Sequence, residues 1–107
     1  MCYLYTNCVK DSEILVDTKI SLTTMLGDQG KYVLRAAIYW GSDHYTVRII
    51  EDNGNLWYHD AIETGPHAIG EGNLQDTDRK FLNSIERPNG SKMIVGVIYC
   101  RQEEQVN

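Results

Sequence analysis

The segment YVLRAAIYW (residues 32–40) is the stretch that decides the fold. It is almost wholly apolar or aromatic, and side chains of this kind favour a β-strand. A single charge in such a run is typical of a strand that is buried on both faces. The residues GSD (41–43) then interrupt the pattern, so we expect the strand to end there in a turn.

The segment HYTVRII (residues 44–50) predicts a second strand, because apolar and polar side chains alternate along it. The alternation assigns its side chains to two faces: Tyr45, Val47 and Ile49 on one, Thr46 and Arg48 on the other. The residues DNGN (52–55) follow, and Asn-Gly between two apolar runs favours a hairpin. A third strand is therefore expected at LWYH (56–59).

Two more extended segments are expected towards the two ends of the chain. Residues 92–100 form one of the most hydrophobic runs, which predicts a central strand. Residues 14–20 are also apolar but are interrupted by Asp17 and Thr18, so an irregular first strand is expected. The polar tail at residues 102–107 is expected to fray.

The region between the hairpin and the last strand has a different character. Residues 61–73 hold three glycines and a proline, which predicts a mobile surface loop. Residues 76–87 predict a short helix with Asp76 or Thr77 as its N-cap. The apolar side chains that would share one face of this helix are Phe81, Leu82 and Ile85.

These segments together predict a mainly β (α+β) fold. We expect an antiparallel sheet, curled or barrel-like, with one or two short helices. At 107 residues the chain has the size of a single domain, and we treat residues 1–107 as one. Its hydrophobic content of 42% is enough for a packed core, so wholesale disorder is not expected.

Composition also narrows the function classes. The net charge is −5 and the ten Lys and Arg residues are scattered, so nucleic-acid binding is not expected. No run approaches the ~20 apolar residues of a membrane span, and no secretory signal is visible. Three cysteines (Cys2, Cys8 and Cys100) are an odd and sparse set, which favours reduced thiols and a place in the cytoplasm or nucleus. The short ligand spacings of metal sites are missing, so neither a metal nor a cofactor is expected.

His44 and Asp60 are the residues that suggest chemistry. A histidine and a carboxylate on neighbouring strands form the base and the orienting group of a nucleophilic triad. Whether they meet depends on the hairpin. A two-residue loop at 53–54 puts them on opposite faces, whereas a three-residue loop at 52–54, with Gly54 left-handed, makes them diagonal neighbours on one face at roughly 7–8 Å.

Four blocks of the sequence, in this order and spacing, resemble the C-terminal part of a ubiquitin-specific protease catalytic domain. They are YVLRAAIY (32–39), GSDHYT (41–46), WYHD (57–60) and IVGVIYCR (94–101). In that papain-like family a strand precedes the catalytic His-Tyr, and a hairpin leads to a Trp and the catalytic Asp. The resemblance covers about residues 20–101. It implies the β half of a papain-like fold, with His44 as the base and Asp60 as its orienting carboxylate.

The chain also departs from the family pattern. Asp43 stands where the family usually has glycine before the histidine, and the segment from Trp57 to Asp60 is one residue short, with His59 replacing an aromatic residue. The helical half that carries the family's nucleophilic cysteine is missing. Cys8, in the triplet TNC, resembles only a fragment of the family's cysteine motif.

Three functions remain open. The first is a non-catalytic ubiquitin-specific-protease-like module, which binds or assembles proteins. Its partner would be ubiquitin, a ubiquitin-like modifier or a second copy, since a half-domain exposes the face that packed on its missing partner. The second is an active cysteine hydrolase of the deubiquitinase type. In it Cys8 would supply the nucleophile to His44 and Asp60 within one chain or across a dimer. The third is a small β domain that binds an unrelated partner.

Overall fold

The computed structural model describes residues 2–6, 17–23, 29–87 and 90–102. As expected, these residues form a mainly β fold, in which an antiparallel sheet curls into a half-barrel. Two short 3-10 helices, η1 and η2, accompany it. In chain order the elements are β1 (Cys2–Thr6), β2 (Lys19–Thr23), β3 (Gln29–Gly41), β4 (His44–Ile50), β5 (Asn55–His59), β6 (Ile69–Asn73), η1 (Leu74–Asp76), η2 (Arg79–Asn83), β7 (Ser84–Arg87) and β8 (Gly90–Arg101).

The strand that contains residues 32–40 lies at the centre of the sheet. The strand order is β1-β8-β3-β4-β5-β6, with β2 added to β3 and β7 added to β8. β3 is therefore flanked on both sides, and Ala37 and Tyr39 are fully buried. The predictions of strands at residues 32–40, 44–50, 56–59 and 92–100 are confirmed.

β4 shows which face of the sheet is buried. Its predicted alternation is confirmed, but the buried face carries the polar side chains, with Thr46 4% and Arg48 2% exposed. We call this the inner face. Two clusters of buried apolar residues share it: Tyr32, Leu34, Ile50, Leu56, Leu82 and Tyr99 in one, Ala37, Tyr39, Tyr58 and Ile85 in the other.

The opposite side of the sheet, which we call the outer face, is apolar. The strand registers align its side chains in rows across five strands. Its residues are Leu4, Ala36, Ile38, Trp40, Tyr45, Val47, Ile49, Trp57, His59, Met93 and Ile98. None of these side chains carries a carboxylate, an ammonium or a guanidinium group, and the most exposed of them, Tyr45, is 65% exposed.

The β4–β5 hairpin has the register of the three-residue loop. Val47 pairs with His59, and Ile49 pairs with Trp57. The loop closes with a hydrogen bond of 2.9 Å from the Gly54 N–H to the Glu51 carbonyl, and Gly54 has a φ of 88°. This left-handed conformation favours glycine and is typical of a three-residue hairpin loop.

The predicted helix over residues 76–87 is wrong. Two 3-10 helices replace its first part, with Asn73 and Asp78 as their N-caps, and β7 replaces its end. Leu82 in η2 and Ile85 in β7 are buried, whereas Phe81, which was predicted to share their face, is 37% exposed. A helix of this length is marginal on its own, and the pairing of β7 with β8 outweighs its weak propensity.

The predicted mobile loop over residues 61–73 is wrong in its second half. Residues 61–66 form turns, but Ile69–Asn73 is strand β6, paired with β5. Gly72 has a φ of 98° beside a register shift in that pairing. Its conformation marks a β-bulge, which glycine accommodates without strain.

The expectation of reduced thiols is wrong for two of the three cysteines. Cys2 in β1 and Cys100 in β8 stand opposite each other and form a disulfide. β1 was not predicted, although its sequence, CYLYT, contains residues that favour strands. Cys8, the apolar residues 14–16 and the tail from residue 103 lie outside the described residues. In the described part of the chain, no helix has the length and apolarity needed to cross a membrane.

Candidate functional site

The fold brings His44 and Asp60 into contact. His44 is the first residue of β4, and Asp60 follows the last residue of β5. Because the three-residue loop sets the register, both side chains are on the inner face at the same end of the hairpin. The imidazole Nε2 lies 2.9 Å from the Asp60 Oδ2.

Asp60 is buried and fully engaged. Its Oδ1 accepts hydrogen bonds from the backbone N–H groups of Ile62 (2.9 Å) and Glu63 (3.2 Å), and Oδ2 also accepts one from the Tyr58 hydroxyl (3.3 Å). Burial alone would raise the pKa of Asp60. The hydrogen bonds from His44 and from the two backbone groups outweigh it and lower the pKa to about 2. Asp60 is therefore a carboxylate throughout the neutral range.

Both ring nitrogens of His44 face acceptors. Besides the contact of Nε2 with Asp60, Nδ1 lies 3.0 Å from the carbonyl oxygen of Ser42. Carbonyl and carboxylate oxygens only accept, so the ring satisfies both contacts when it donates from both nitrogens, as an imidazolium. The hydrogen bond to Asp60, followed by that to the Ser42 carbonyl, raises the pKa of His44. In this arrangement the ring has no lone pair directed at a nucleophile.

The β3–β4 turn fixes the position of that carbonyl. Ser42 and Asp43 have φ values of 53° and 62°, in the left-handed region that glycine favours. Asp43 is the position at which the resembled family usually has glycine. Gly41 precedes the turn, and a Cβ there would meet the Lys92 side chain at 2.8 Å. The absence of a side chain at Gly41 lets the turn approach β8 closely.

Lys92 is a third charged member of this site, and the sequence reasoning missed it. It is only 3% exposed, and its Nζ lies 3.8 Å from the Asp60 Oδ2. Asp60 is thus close to two cationic groups. The signal in the sequence is weak: Lys92 begins a strongly hydrophobic run, which is also where a solvent-facing lysine often stands.

A second polar cluster surrounds Arg48. The sequence predicted Arg48 only as a strand residue and did not indicate its buried hydrogen bonds. Its Nε donates to the Glu71 Oε1 (2.8 Å), and its Nη1 donates to the carbonyl oxygens of Phe81 (2.5 Å) and Ser84 (3.0 Å). Nη1 also donates to the Tyr39 hydroxyl at 3.1 Å. The guanidinium stacks 3.8 Å from the centre of the Phe81 ring. Arg48 therefore links β4 to β3, β6, η2 and β7.

The described residues supply no free thiol to the His44–Asp60 pair. Cys2 and Cys100 are joined to each other, and Cys8 lies outside the described ranges. The His59 ring does not join the pair, since its Nε2 contacts the Gly65 carbonyl oxygen at 3.0 Å. Within the described part of the chain, no group of three or more His, Cys, Asp or Glu side chains could hold a metal ion.

Comparison of the chain with protein-family models, with curated proteins and with solved structures found no match. The resemblance to ubiquitin-specific proteases therefore stays a prediction, and so do the roles that it assigns to His44, Asp60 and Cys8.

Proposed function

We propose that this protein is a non-catalytic, ubiquitin-specific-protease-like β module that acts in protein assembly, and that its partner is a second copy of the chain, bound through the outer face. The observation that carries the proposal is the apolar outer face, whose eleven side chains carry no charged group. Trp40, Met93 and Ile49 on this face are 42%, 46% and 45% exposed. Large apolar side chains of this kind, close together on one face, are typical of interaction surfaces.

Charge favours a second copy as the occupant. The chain carries a net charge of −5, so two copies repel each other wherever charged surfaces meet. The eleven side chains of the outer face carry no charged group, and the Glu51 carboxylate beside them accepts a hydrogen bond from the Trp57 indole N–H. Two outer faces that stack around Trp40 and Tyr45 therefore oppose few charges. In a two-fold dimer the same surface of each subunit faces the other, so like charges would meet across the interface. A face built from uncharged side chains avoids that repulsion.

The size of the face predicts a weak dimer. Aromatic side chains bury roughly 150–250 Å² each when fully covered, so at the observed exposures the outer face offers on the order of 500 Å² per copy. A standard stable interface uses about 800 Å² from each partner. We therefore expect association that depends on protein concentration rather than a permanent dimer.

The geometry of His44 supports the non-catalytic part of the proposal. A general base must take a proton from its nucleophile through a free lone pair. Here one ring nitrogen faces Asp60 and the other faces the Ser42 carbonyl. The pair then serves to hold the β3–β4 turn against the loop after β5.

Analytical ultracentrifugation over a range of concentrations tests the proposal. We expect a monomer–dimer equilibrium that Trp40→Gln shifts strongly towards monomer. The matched control is Ile62→Gln, since Ile62 is 77% exposed but lies in the 61–66 turns, off the outer face. The control should leave the equilibrium unchanged. A monomer at every concentration, or equal effects of the two substitutions, would contradict the proposal.

The contact between His44 and Asp60 favours a second candidate, a cysteine hydrolase that uses Cys8. Ubiquitin with a thiol-reactive group at its C-terminus tests it by intact mass. We expect no adduct under conditions in which Cys8 is shown to be reduced. A single adduct on Cys8 that is lost in His44→Ala would establish the hydrolase and overturn the non-catalytic proposal. Titration with unmodified ubiquitin by NMR then shows whether the module binds the modifier.

We propose the cytoplasm or the nucleus as the location of the module, because its three cysteines are few and odd in number. Disulfides in those compartments are usually ones that open and close rather than permanent structural bonds. The Cys2–Cys100 bond is therefore the feature of the fold that location affects most directly.

A further inference from the structure

The disulfide between Cys2 and Cys100 lies at one margin of the sheet. Among the described strands β1 pairs with β8 alone, and Cys2 stands directly opposite Cys100 in the register. The bond joins positions that are 98 residues apart in the chain. It therefore fastens β1 to the sheet and closes a covalent loop that contains almost the whole chain.

Little apolar burial accompanies this bond in the described side chains of β1. Leu4 is 58% exposed on the outer face, and Cys2 is itself exposed. β1 has five residues, and a short strand that pairs on one side only is marginal unless something else holds it. The covalent bond is thus the strongest described link between β1 and β8.

We propose that Cys2–Cys100 is a thiol–disulfide exchange site, at which a low-molecular-weight thiol such as glutathione releases β1 and its disulfide form reattaches it. The thiolate of the small molecule attacks the Sγ of the exposed Cys2, the protein S–S bond breaks, and Cys100 leaves as a thiolate that takes up a proton. A second small thiol attacks the small-molecule sulfur of the mixed disulfide, and Cys2 leaves as a thiol. The protein gains two electrons and two protons, and two small thiols become one disulfide.

The placement of the pair confines the effect of reduction to one edge. β8 keeps its pairing with β3 on its other side, so the centre of the sheet does not depend on the bond. Release of β1 uncovers the backbone of residues 96–100, which it pairs in the oxidised protein. An uncovered strand edge presents free N–H and C=O groups that can accept another strand.

The experiment uses the full chain with Cys8→Ala, which leaves Cys2 and Cys100 as its only thiols. The protein is equilibrated in glutathione mixtures of graded reducing strength, free thiols are alkylated and counted by mass, and hydrogen–deuterium exchange is followed by peptide. We expect the number of alkylated thiols to rise from none to two across the series. Exchange should accelerate by about tenfold or more in residues 2–6 on reduction, while residues 44–50 stay unchanged.

Cys2→Ser is the matched variant, because it cannot form the bond at any ratio of the glutathione couple. Its exchange in residues 2–6 should equal that of the reduced protein throughout the series. The proposal fails if no disulfide forms in the most oxidising mixture, or if the folded protein keeps it in the most reducing one. It also fails if the bond opens and exchange in residues 2–6 does not change.

Discussion

The two faces of strand β4 invert the usual arrangement of a half-buried strand. The inner face buries Arg48, whereas the outer face exposes Tyr45 and Ile49. A strand with these residues would ordinarily turn its apolar side inward. Hydrogen bonding explains the burial of Arg48, because each of its donor nitrogens finds an acceptor on the inner face. The apolar side chains of the outer face are left for another surface.

The same comparison separates stability from association. On the inner face a buried charge has several partners, and removing any of them leaves others unpaired. On the outer face most side chains are partly exposed, and the described charged contact is the hydrogen bond from the Trp57 indole to the Glu51 carboxylate. Substitutions on the inner face of β4 should therefore lower folding stability strongly and affect self-association little. Substitutions on its outer face should do the reverse.

The largest effect is expected from Arg48→Met. It leaves the Glu71 carboxylate, whose side chain is 11% exposed, without its cation and removes the donors to the Phe81 and Ser84 carbonyl oxygens. Breaking a buried ion pair in this way should lower the free energy of unfolding by about 3–5 kcal/mol. Urea denaturation measures it, with Ile49→Thr on the opposite face of β4 as the control.

The double variant Arg48→Met with Glu71→Gln sharpens the interpretation of that loss. If an unpaired buried carboxylate causes most of it, the second substitution should restore part of the lost stability. If Arg48→Met and Ile49→Thr lowered the free energy of unfolding equally, the two faces of β4 would not differ in their contribution to stability.

Asp60→Asn should have the next largest effect, a loss of about 2 kcal/mol in the free energy of unfolding near pH 5. An amide cannot accept hydrogen bonds from both His44 and the neighbouring groups as the carboxylate does.

The dependence of stability on pH gives a second test of Asp60. The pKa of Asp60 is about 2 in the folded protein, against an ordinary value of 3.8. Its contribution is therefore complete above pH 3.8 and is lost as the pH falls towards 2. Unfolding measured against pH should show an acid-side slope that Asp60→Asn flattens. An unchanged slope would show that Asp60 does not carry it.

A smaller effect is expected in the titration of His44. Its raised pKa means that the stabilisation it brings is complete below its ordinary pKa of 6.5 and is lost as the pH rises through the value in the folded protein. NMR of the imidazole nitrogens should show both of them protonated at pH 6, and Asp60→Asn should lower the pKa of His44. A neutral ring with one free nitrogen at that pH would instead favour the hydrolase.

The smallest effect on folding is expected from Tyr45→Thr on the outer face. Tyr45 is 65% exposed and touches the ring of Trp40 at 4.5 Å between centres, so its loss should change the free energy of unfolding by about 0.5 kcal/mol. The same substitution should weaken dimerisation measured by sedimentation. A large loss of folding stability without an effect on association would reverse the roles of the two faces.

The sequence predicted the parts of the fold that local patterns determine. The central strand around residues 32–40 and the alternation in residues 44–50 depend on side chains within a few positions of one another, and both are confirmed. β6 and β7 were missed because each is stabilised by pairing with a neighbouring strand and not by its own composition. β1 was missed although CYLYT favours a strand, because its partner β8 is far away in the sequence.

The candidate site was predictable only in part, for a related reason. His44 and Asp60 were chosen by residue type and resemblance, but their contact depends on one residue of loop length, which the sequence left open. Lys92, Arg48 and Glu71 gave no distinctive signal, because a charged residue is stable in a core only when the whole fold supplies its partners.

The position of β8 also determines when the molecule can finish folding. β3 pairs with β2 and β4 and receives its third partner from the last described strand, β8, with which β1 also pairs across 98 residues of chain. Contacts between such distant segments close slowly, because a long stretch of chain must be ordered before they form. During synthesis on the ribosome, β3 therefore emerges early and waits with an unpaired edge. This nascent chain should depend on a chaperone until β8 has left the exit tunnel.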